Sequence, residues 1–404
     1  MPDKPRGEWF ILLATSLAYL LIAFEVLFMV TPFALYFYGV YGPVLELLGA
    51  FPATAWMVDF FLPHMVFVDN DLLNGLAYLQ ILFIAGMVLF LLAAVPLYYG
   101  RWTGKGVVSF GLYGKLRHPQ YLFLALSGFG LLIYWPRFIV LIFFVCMLFV
   151  YYLLARNEEW RMQREQPGAY ERYMETTFMF LPGNPGGWLF RRLFGWCGPK
   201  WRGLSVMFIL VMAGSLLLAA GLRSYTISQL AQVRLGEMTL ISVYPRDMEK
   251  VAGFYRQLVA RPDVARALQG QNLRLGYVMP GDFFLTGLIL REGPRFSEAQ
   301  LERYPSLRDE GTSRKGWLKK FFRLGYKFFR TIGSTRRVYD VERFVLVAAR
   351  DLSGAPVSAD EVLAGGVQRL PALVIDVDAE TDELLSLHQV SGENRWGQLP
   401  MPVF

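Results

Sequence analysis

No Lys or Arg occurs between Arg6 and Arg101. A water-facing surface normally carries charges of both signs, so this absence excludes an ordinary soluble fold for the first part of the chain. Cysteine is also scarce. Cys146 and Cys197 are the only two in 404 residues, which excludes a disulfide scaffold. Cys146 stands in an apolar run, where packing is expected, and Cys197 in a Gly/Trp-rich loop. Residues 223–404 have no cysteine, so redox state does not constrain their compartment. His64, His118 and His388 are the three histidines and have no ligand spacing, so no metal or haem site is expected. The formal charge of +7 is mild. It fits basic loops on a membrane protein better than a nucleic-acid binder.

What the chain does contain is apolar surface: 54% of residues are hydrophobic and 18% charged, and the two kinds are segregated. Long apolar runs fill the first half, while charges are dense from about Arg223 onward. The expectation is an α-helical multi-pass membrane domain, residues 1–222, followed by an extramembrane α+β domain, residues 223–404. About five spans are predicted: Trp9–Val30, Leu76–Leu97, Tyr121–Trp135, Phe138–Leu154 and Leu204–Leu222. The first has no small-residue cleavage site after it and reads as a retained anchor. Thr31–Phe67 is broken by Pro32, Pro43, Pro52 and Pro63 and reads as interfacial or re-entrant. Glu25, inside the first span, is expected to face the bundle.

Loop charge gives an orientation. Arg101–Arg117 carries four bases and no acid, and Arg156–Arg202 carries eight bases. Between the first two spans lie Glu46, Asp59, Asp69 and Asp71 and no base. The positive-inside rule puts the N-terminus and both basic loops in the cytoplasm. Five spans then deliver residues 223–404 to the outer face, the periplasm if this is a bacterial inner-membrane protein. Arg137, at the outer turn, is a minor exception.

The two basic loops carry the chemistry. Arg117-His118-Pro119-Gln120-Tyr121 opens an apolar hairpin that returns to Glu158-Glu159. Charged groups beside spans are costly to hold and usually have a role. Read alone, Arg117 and His118 also suit a basic membrane-edge anchor, and Glu158 and Glu159 could pair with Arg156, Arg161 and Arg164 along one helix. Downstream come Tyr170-Glu171-Arg172-Tyr173 and Phe180-Leu181-Pro182.

In order and spacing, over about residues 76–182, these elements resemble the isoprenylcysteine carboxyl methyltransferase and phospholipid methyltransferase family of integral membrane enzymes. The resemblance implies S-adenosylmethionine as methyl donor. It also implies Arg117, His118, Tyr121, Glu158 and Glu159 as cofactor-binding residues, with a lipid or membrane-embedded acceptor reached laterally. Glu158 and Glu159 would hold the donor's cationic end and Arg117 and His118 its carboxylate. Arg161 or Arg172 could steer an anionic acceptor, and Gly104-Lys105-Gly106 could allow close backbone approach. The chain departs from the family pattern at Phe123, where a Gly is usual, at Gln166-Pro167 and at Thr177-Phe178. A second reading follows from these departures and from the unmatched C-terminal half: a non-catalytic anchor or accessory subunit that keeps the fold within a larger membrane complex.

In the C-terminal half, Met238–Tyr244, Leu273–Val278, Phe283–Leu290, Phe344–Ala349 and Leu373–Val377 read as strands. Asp247–Leu268 reads as one helix and Ser358–Leu363 as the start of a short capped one. Lys315–Ile332 has apolar residues at helical spacing, and Arg314–Arg337 has nine bases and no acid. Residues 315–332 therefore read as an amphipathic helix for a membrane surface or a membrane-protein partner. Asp376, Asp378, Glu380 and Asp382 lack the Gly and final acid of a calcium loop and read as a helix-start cluster.

Overall fold

A computed structural model describes residues 27, 30–33, 36, 43–103, 109–283 and 340–390. The first span expected at Trp9–Val30, Glu25, the Gly104-Lys105-Gly106 turn, nearly all of the Phe283–Leu290 strand and the 315–332 helix lie outside the described residues. The chain forms two compact units. One comprises Met1–Tyr41, Gln80–Leu132 and Val140–Ser215, and the other Gly42–Leu79, Ile133–Ile139 and Leu216–Phe404.

Among the described residues three helical stretches are long and apolar enough to cross a membrane: Asp71–Gly100, Phe138–Glu165 and Lys200–Ser228. Pro119–Tyr134, at 16 residues, is apolar but shorter. The helices are α1 (Pro43–Gly49), α2 (Asp71–Tyr78), α3 (Ile81–Trp102), α4 (Pro119–Tyr134), α5 (Phe138–Glu165), α6 (Ala169–Thr176), α7 (Pro185–Phe194) and α8 (Lys200–Ser228). The expected Leu76–Leu97 span is interrupted by a turn at Leu79–Gln80, between α2 and α3. At its other end, α5 runs eleven residues past Leu154 and carries Glu158 and Glu159 in regular helix.

Within the first unit, α3 and α4 meet backbone to backbone. A side chain at Gly86 would collide with the backbone of Ser127 and Phe123, and one at Gly130 with Phe83. The Ser127 hydroxyl donates to the Phe83 carbonyl at 2.9 Å. Small residues at such a crossing let apolar helices pack where no hydrophobic force separates them from lipid. Gly86, on α3, supplies the small contact opposite Phe123.

The second unit is built on a six-stranded sheet in sequential order: β1 (Gln232–Leu235), β2 (Met238–Ser242), β3 (Leu273–Pro280), β4 (Val341–Arg350), β5 (Gln368–Asp378) and β6 (Leu384–Gln389). Only β2 and β3 are parallel. A parallel pair needs a crossover, supplied by α9 (Met248–Val259) and α10 (Pro262–Leu268). Val251, Tyr255, Leu258 and Val264 of this crossover bury against Leu240, Val278, Phe344, Leu346, Leu373 and Ile375.

Three expectations need correction here. Asp247–Leu268 is two helices, because Pro262 cannot continue the first and instead starts the second. Ser358–Leu363 forms turns. The Ser358 hydroxyl reaches Glu361 at 2.8 Å as a cap would, but the next carbonyls are taken by guanidiniums. Arg369 donates to Val362 and Ala364, and Arg223 to Leu363. The acidic cluster starts no helix. Asp376 lies inside β5, and Asp378 accepts from Glu380 and Thr381 N–H groups at 3.0 and 2.8 Å to close the β5–β6 turn. The stretch read as interfacial holds α1 and a 3-10 turn at Ala55–Val58, and from Gly42 onward it belongs to the second unit.

Arg343 and Asp376 face each other across β4 and β5 in a fully buried bidentate pair, at 2.7 and 2.8 Å. Removing one partner of such a pair costs about 3–5 kcal/mol, whereas an apolar replacement of both is often tolerated. Arg343→Met is therefore expected to lower the unfolding midpoint of the sheet, followed by circular dichroism, and Arg343→Met/Asp376→Leu to recover most of it. Equal loss in the single and double variants would contradict this account.

Candidate functional site

The polar site sits where α4 begins and α5 nears its end. Pro119 starts α4, where its missing N–H is harmless. The residues just before it are held by backbone pairing to the segment after α6. Arg117 N–H donates to Phe178 at 2.8 Å, His118 N–H to Met179 at 3.1 Å, and Phe178 N–H to Lys115 at 2.9 Å. This short parallel bridge aims the Arg117 and His118 side chains at α5.

Arg117 Nε donates to Glu159 Oε1 at 2.7 Å, with both side chains buried. Its Nη1 donates to the Thr177 carbonyl and, at 3.2 Å, to that of Met174. Arg156, half-exposed one helical turn before, reaches Glu159 Oε2 at 3.4 Å. The helix-surface pairing anticipated for one of the two glutamates is therefore made by Glu159.

His118 lies between the two carboxylates. Its Nδ1 is 3.3 Å from Glu158 Oε2 and its Nε2 is 3.6 Å from Glu159 Oε1. Both nitrogens are buried, and neither contact has the alignment of a hydrogen bond. Tyr121 donates to Glu158 Oε1 at 2.7 Å. The His118–Glu158 contact is direct, with no ring between them. Glu158 differs from Glu159 in access, with a third of its side chain exposed (33% against 2%). The rings of Tyr151 and Phe180 add to the aromatic wall, 5.1 Å from Tyr121 and 6.0 Å from His118.

All five residues singled out in the sequence thus converge. Other contributors could not be chosen from sequence: the Thr177 and Met174 carbonyls, Tyr151, and Tyr113, whose carbonyl accepts from the Tyr173 hydroxyl at 2.7 Å. That last bond uses one member of the Tyr-x-x-Tyr pair to pin the turn before Arg117, and Tyr170 is buried beside it. Arg161 reaches Glu165 at 3.7 Å and Arg172 the Gly168 carbonyl. Among the described residues no group of three or more His, Cys, Asp or Glu is placed to hold a metal ion.

Burial disfavours charge on His118, but the Glu158 and Glu159 carboxylates outweigh it and hold the imidazole above its ordinary value. His64, in the second unit, goes the other way: burial, helped by Arg137, pushes it down to about 3. Comparison of the chain with family models, curated proteins and solved structures gives no match.

With three histidines in the chain, each ring can be followed by NMR. His64 is expected to stay neutral above about pH 3. The His118 ring is expected to titrate above 6.5, and Glu158→Gln to move it down. Because its folded value is raised, its contribution to stability is complete below the unfolded value near 6.5. That contribution disappears as pH rises through the folded value. A His118 ring that titrates below 6.5 would show that burial prevails over the carboxylates.

Proposed function

We propose that the protein is an integral membrane methyltransferase that uses S-adenosylmethionine to modify a lipid or another membrane-embedded amphiphile. One observation carries the reading: three sequence-distant elements, Arg117-His118-Pro119-Gln120-Tyr121, Glu158-Glu159 and the Tyr173–Phe180 segment, meet in one mostly buried charged cluster. Two departures from the family pattern, Thr177-Phe178, fall inside it. Thr177 contributes its carbonyl and, at 3.4 Å, its hydroxyl oxygen to Arg117, and Phe178 contributes a backbone bridge that does not depend on its side chain.

The residues present fit the cationic end of the proposed donor. Glu158 is a partly accessible carboxylate beside aromatic rings, an environment that suits a sulfonium or ammonium. His118 is buried with its two ring nitrogens facing Glu158 and Glu159, so it bridges those carboxylates. Arg117 is a positioning residue, since its Nε and Nη1 are committed to Glu159, Met174 and Thr177. When bound, S-adenosylmethionine would supply a methyl group activated for in-line displacement. The chain's own part is to orient and exclude water: Arg117 fixes Glu159, the two glutamates favour the charged form of His118, and Tyr121 fixes Glu158.

We further infer five spans, with the motif loops cytoplasmic and residues 223–404 outside. The composition of the second unit supports this arrangement. It gathers residues 42–79, the 133–139 hairpin turn and residues 216–404, the three parts the orientation assigns to one face. The C-terminal sheet would then be available to a membrane-protein partner there.

Calorimetry on the purified protein tests the donor. Removing a charge-assisted contact costs about 1.5–3 kcal/mol, so Glu158→Ala is expected to weaken binding by roughly tenfold or more. Glu159→Ala should do the same by releasing Arg117 and His118. No binding heat at millimolar S-adenosylmethionine from folded protein would favour the anchor or accessory-subunit reading. A reporter fused to the C-terminus tests orientation separately, and cytoplasmic reporter activity overturns it.

A further inference from the structure

The segment that follows the site carries a feature that methyl transfer does not use. From Thr176 to Gly236 there is no acidic residue, and α7 through the start of α8 reads Pro185-Gly186-Gly187-Trp188-Leu189-Phe190-Arg191-Arg192-Leu193-Phe194-Gly195-Trp196-Cys197-Gly198-Pro199-Lys200-Trp201-Arg202. A turn with Asn184 at φ 47° and Pro185 at the first helical position sets where α7 starts.

One side of α7 is seated on α8. A side chain at Gly203 would stand 2.9 Å from the Phe190 ring, so the absence of one there lets α7 lie against the first turn of a helix long and apolar enough to span. The Phe190 and Phe194 rings lie 5.6 Å apart, tilted to each other, on that side and are half-buried. Everything else on α7 is exposed, and none of its residues is fully buried. Trp188 is 58% exposed, and beyond α7 Trp196 is 77% and Trp201 65% exposed. Leu189 and Leu193 are exposed with them. Interleaved are four bases, Arg191, Arg192, Lys200 and Arg202. Arg192 lies over Trp188 at 5.7 Å and Arg202 over Trp201 at 5.3 Å.

We infer that α7 and the turn Gly195–Cys197 form a docking face for an anionic phospholipid leaflet, with the tryptophans at headgroup depth and the four bases on lipid phosphates. Three observations select this occupant. The face is continuous with the first turn of α8, so it lies at the level where that helix would leave the bilayer. Tryptophan beside Arg or Lys is the composition of a membrane–water boundary, where an amphipathic ring has one wet and one apolar edge. Four bases with no acid match a negative surface, and each base near one is worth about fivefold in local affinity. The inference rests on α8 being a span and is independent of the methyl donor.

Cys197, half-buried at the end of this face, is a built-in reporter, and the chain's other cysteine can be removed as Cys146→Ser. The full-length protein, spin-labelled at Cys197, is placed in nanodiscs of phosphatidylcholine alone or mixed with phosphatidylglycerol. Relaxation of the label by oxygen is compared with relaxation by a water-soluble nickel chelate. The expected result is a severalfold rise in the oxygen-to-nickel ratio in the anionic discs. That rise should be lost in Arg191→Gln/Arg192→Gln/Lys200→Gln/Arg202→Gln, and also on raising salt with no substitution at all. A label equally wet in both lipids, equally buried in both, or indifferent to salt overturns the assignment. A wet label in both would leave an acidic protein surface as the occupant instead. These readouts need no S-adenosylmethionine, so they stand or fall apart from the methyl-transfer reading.

Discussion

The buried Arg117–Glu159 pair is the contact on which the site depends. A guanidinium and a carboxylate taken out of water are each expensive, and their attraction repays that cost only with good geometry and further hydrogen bonds. Here the remaining donors of Arg117 find the Thr177 and Met174 carbonyls, so the pair ties together the start of α4, the last turns of α5 and the end of α6. Those three places lie far apart in sequence. Once Glu159 is fixed, its neighbour Glu158 is turned outward on the same helix, where it keeps some access to solvent and accepts from Tyr121. The accessible carboxylate is thus positioned by the inaccessible one.

The helices around this pair meet a different constraint. Along α8, Leu217 and Leu218 are 75% and 67% exposed, and Ile209 and Leu210 are nearly as bare. Apolar surface left in water is unfavourable by about 25 cal/mol per Å², and none of the described residues covers these side chains. Lipid or another protein must cover it. Between α3 and α4 the opposite solution operates. Gly86 and Gly130 let the two backbones touch, and Ser127 crosses the gap to Phe83. One helix is made to face outward and the other pair to face inward, by side-chain size more than by hydrophobicity.

Much of this was legible in the sequence, for reasons that differ by element. Charge beside apolar spans is rare enough to draw attention to Arg117, His118, Glu158 and Glu159, but it was the resemblance in order and spacing that singled out the set as a site. The strands β2 to β5 could be placed from their β-branched runs. β1 and β6 could not: β1 is a four-residue edge strand, too short for its alternation to stand out, and in β6, at the other edge, half-buried Ser386 and His388 blur the pattern. The misread helix at Ser358–Leu363 has a tertiary cause. Its cap was present, but its carbonyls were wanted by Arg223 and Arg369 from elsewhere in the chain. Asp376 read as part of a helix-start cluster because the residue that pairs with it, Arg343, is 33 positions away.

The same use of guanidinium on carbonyl explains Arg137, the one base that disturbed the loop-charge pattern. Residues 55–66 are largely buried yet form no ladder, and unpaired buried carbonyls are costly. Arg137 donates to Val58, and Arg223 to Phe60. Arg137 is fully buried, with its guanidinium over the Phe60 ring at 4.1 Å and near Trp135. Asp59 supplies countercharge nearby and lies 3.8 Å from Arg223. Burial raises the Asp59 carboxyl above its ordinary value, against the pull of Arg223, Arg369 and Arg137. A base enclosed in this way is part of a core and not of a loop surface. The positive-inside rule counts charges that a loop presents at the membrane. With Arg137 removed from that count, the hairpin turn has no base left to weigh against the basic segments at the other ends of α4 and α5, and the proposed orientation loses its one exception.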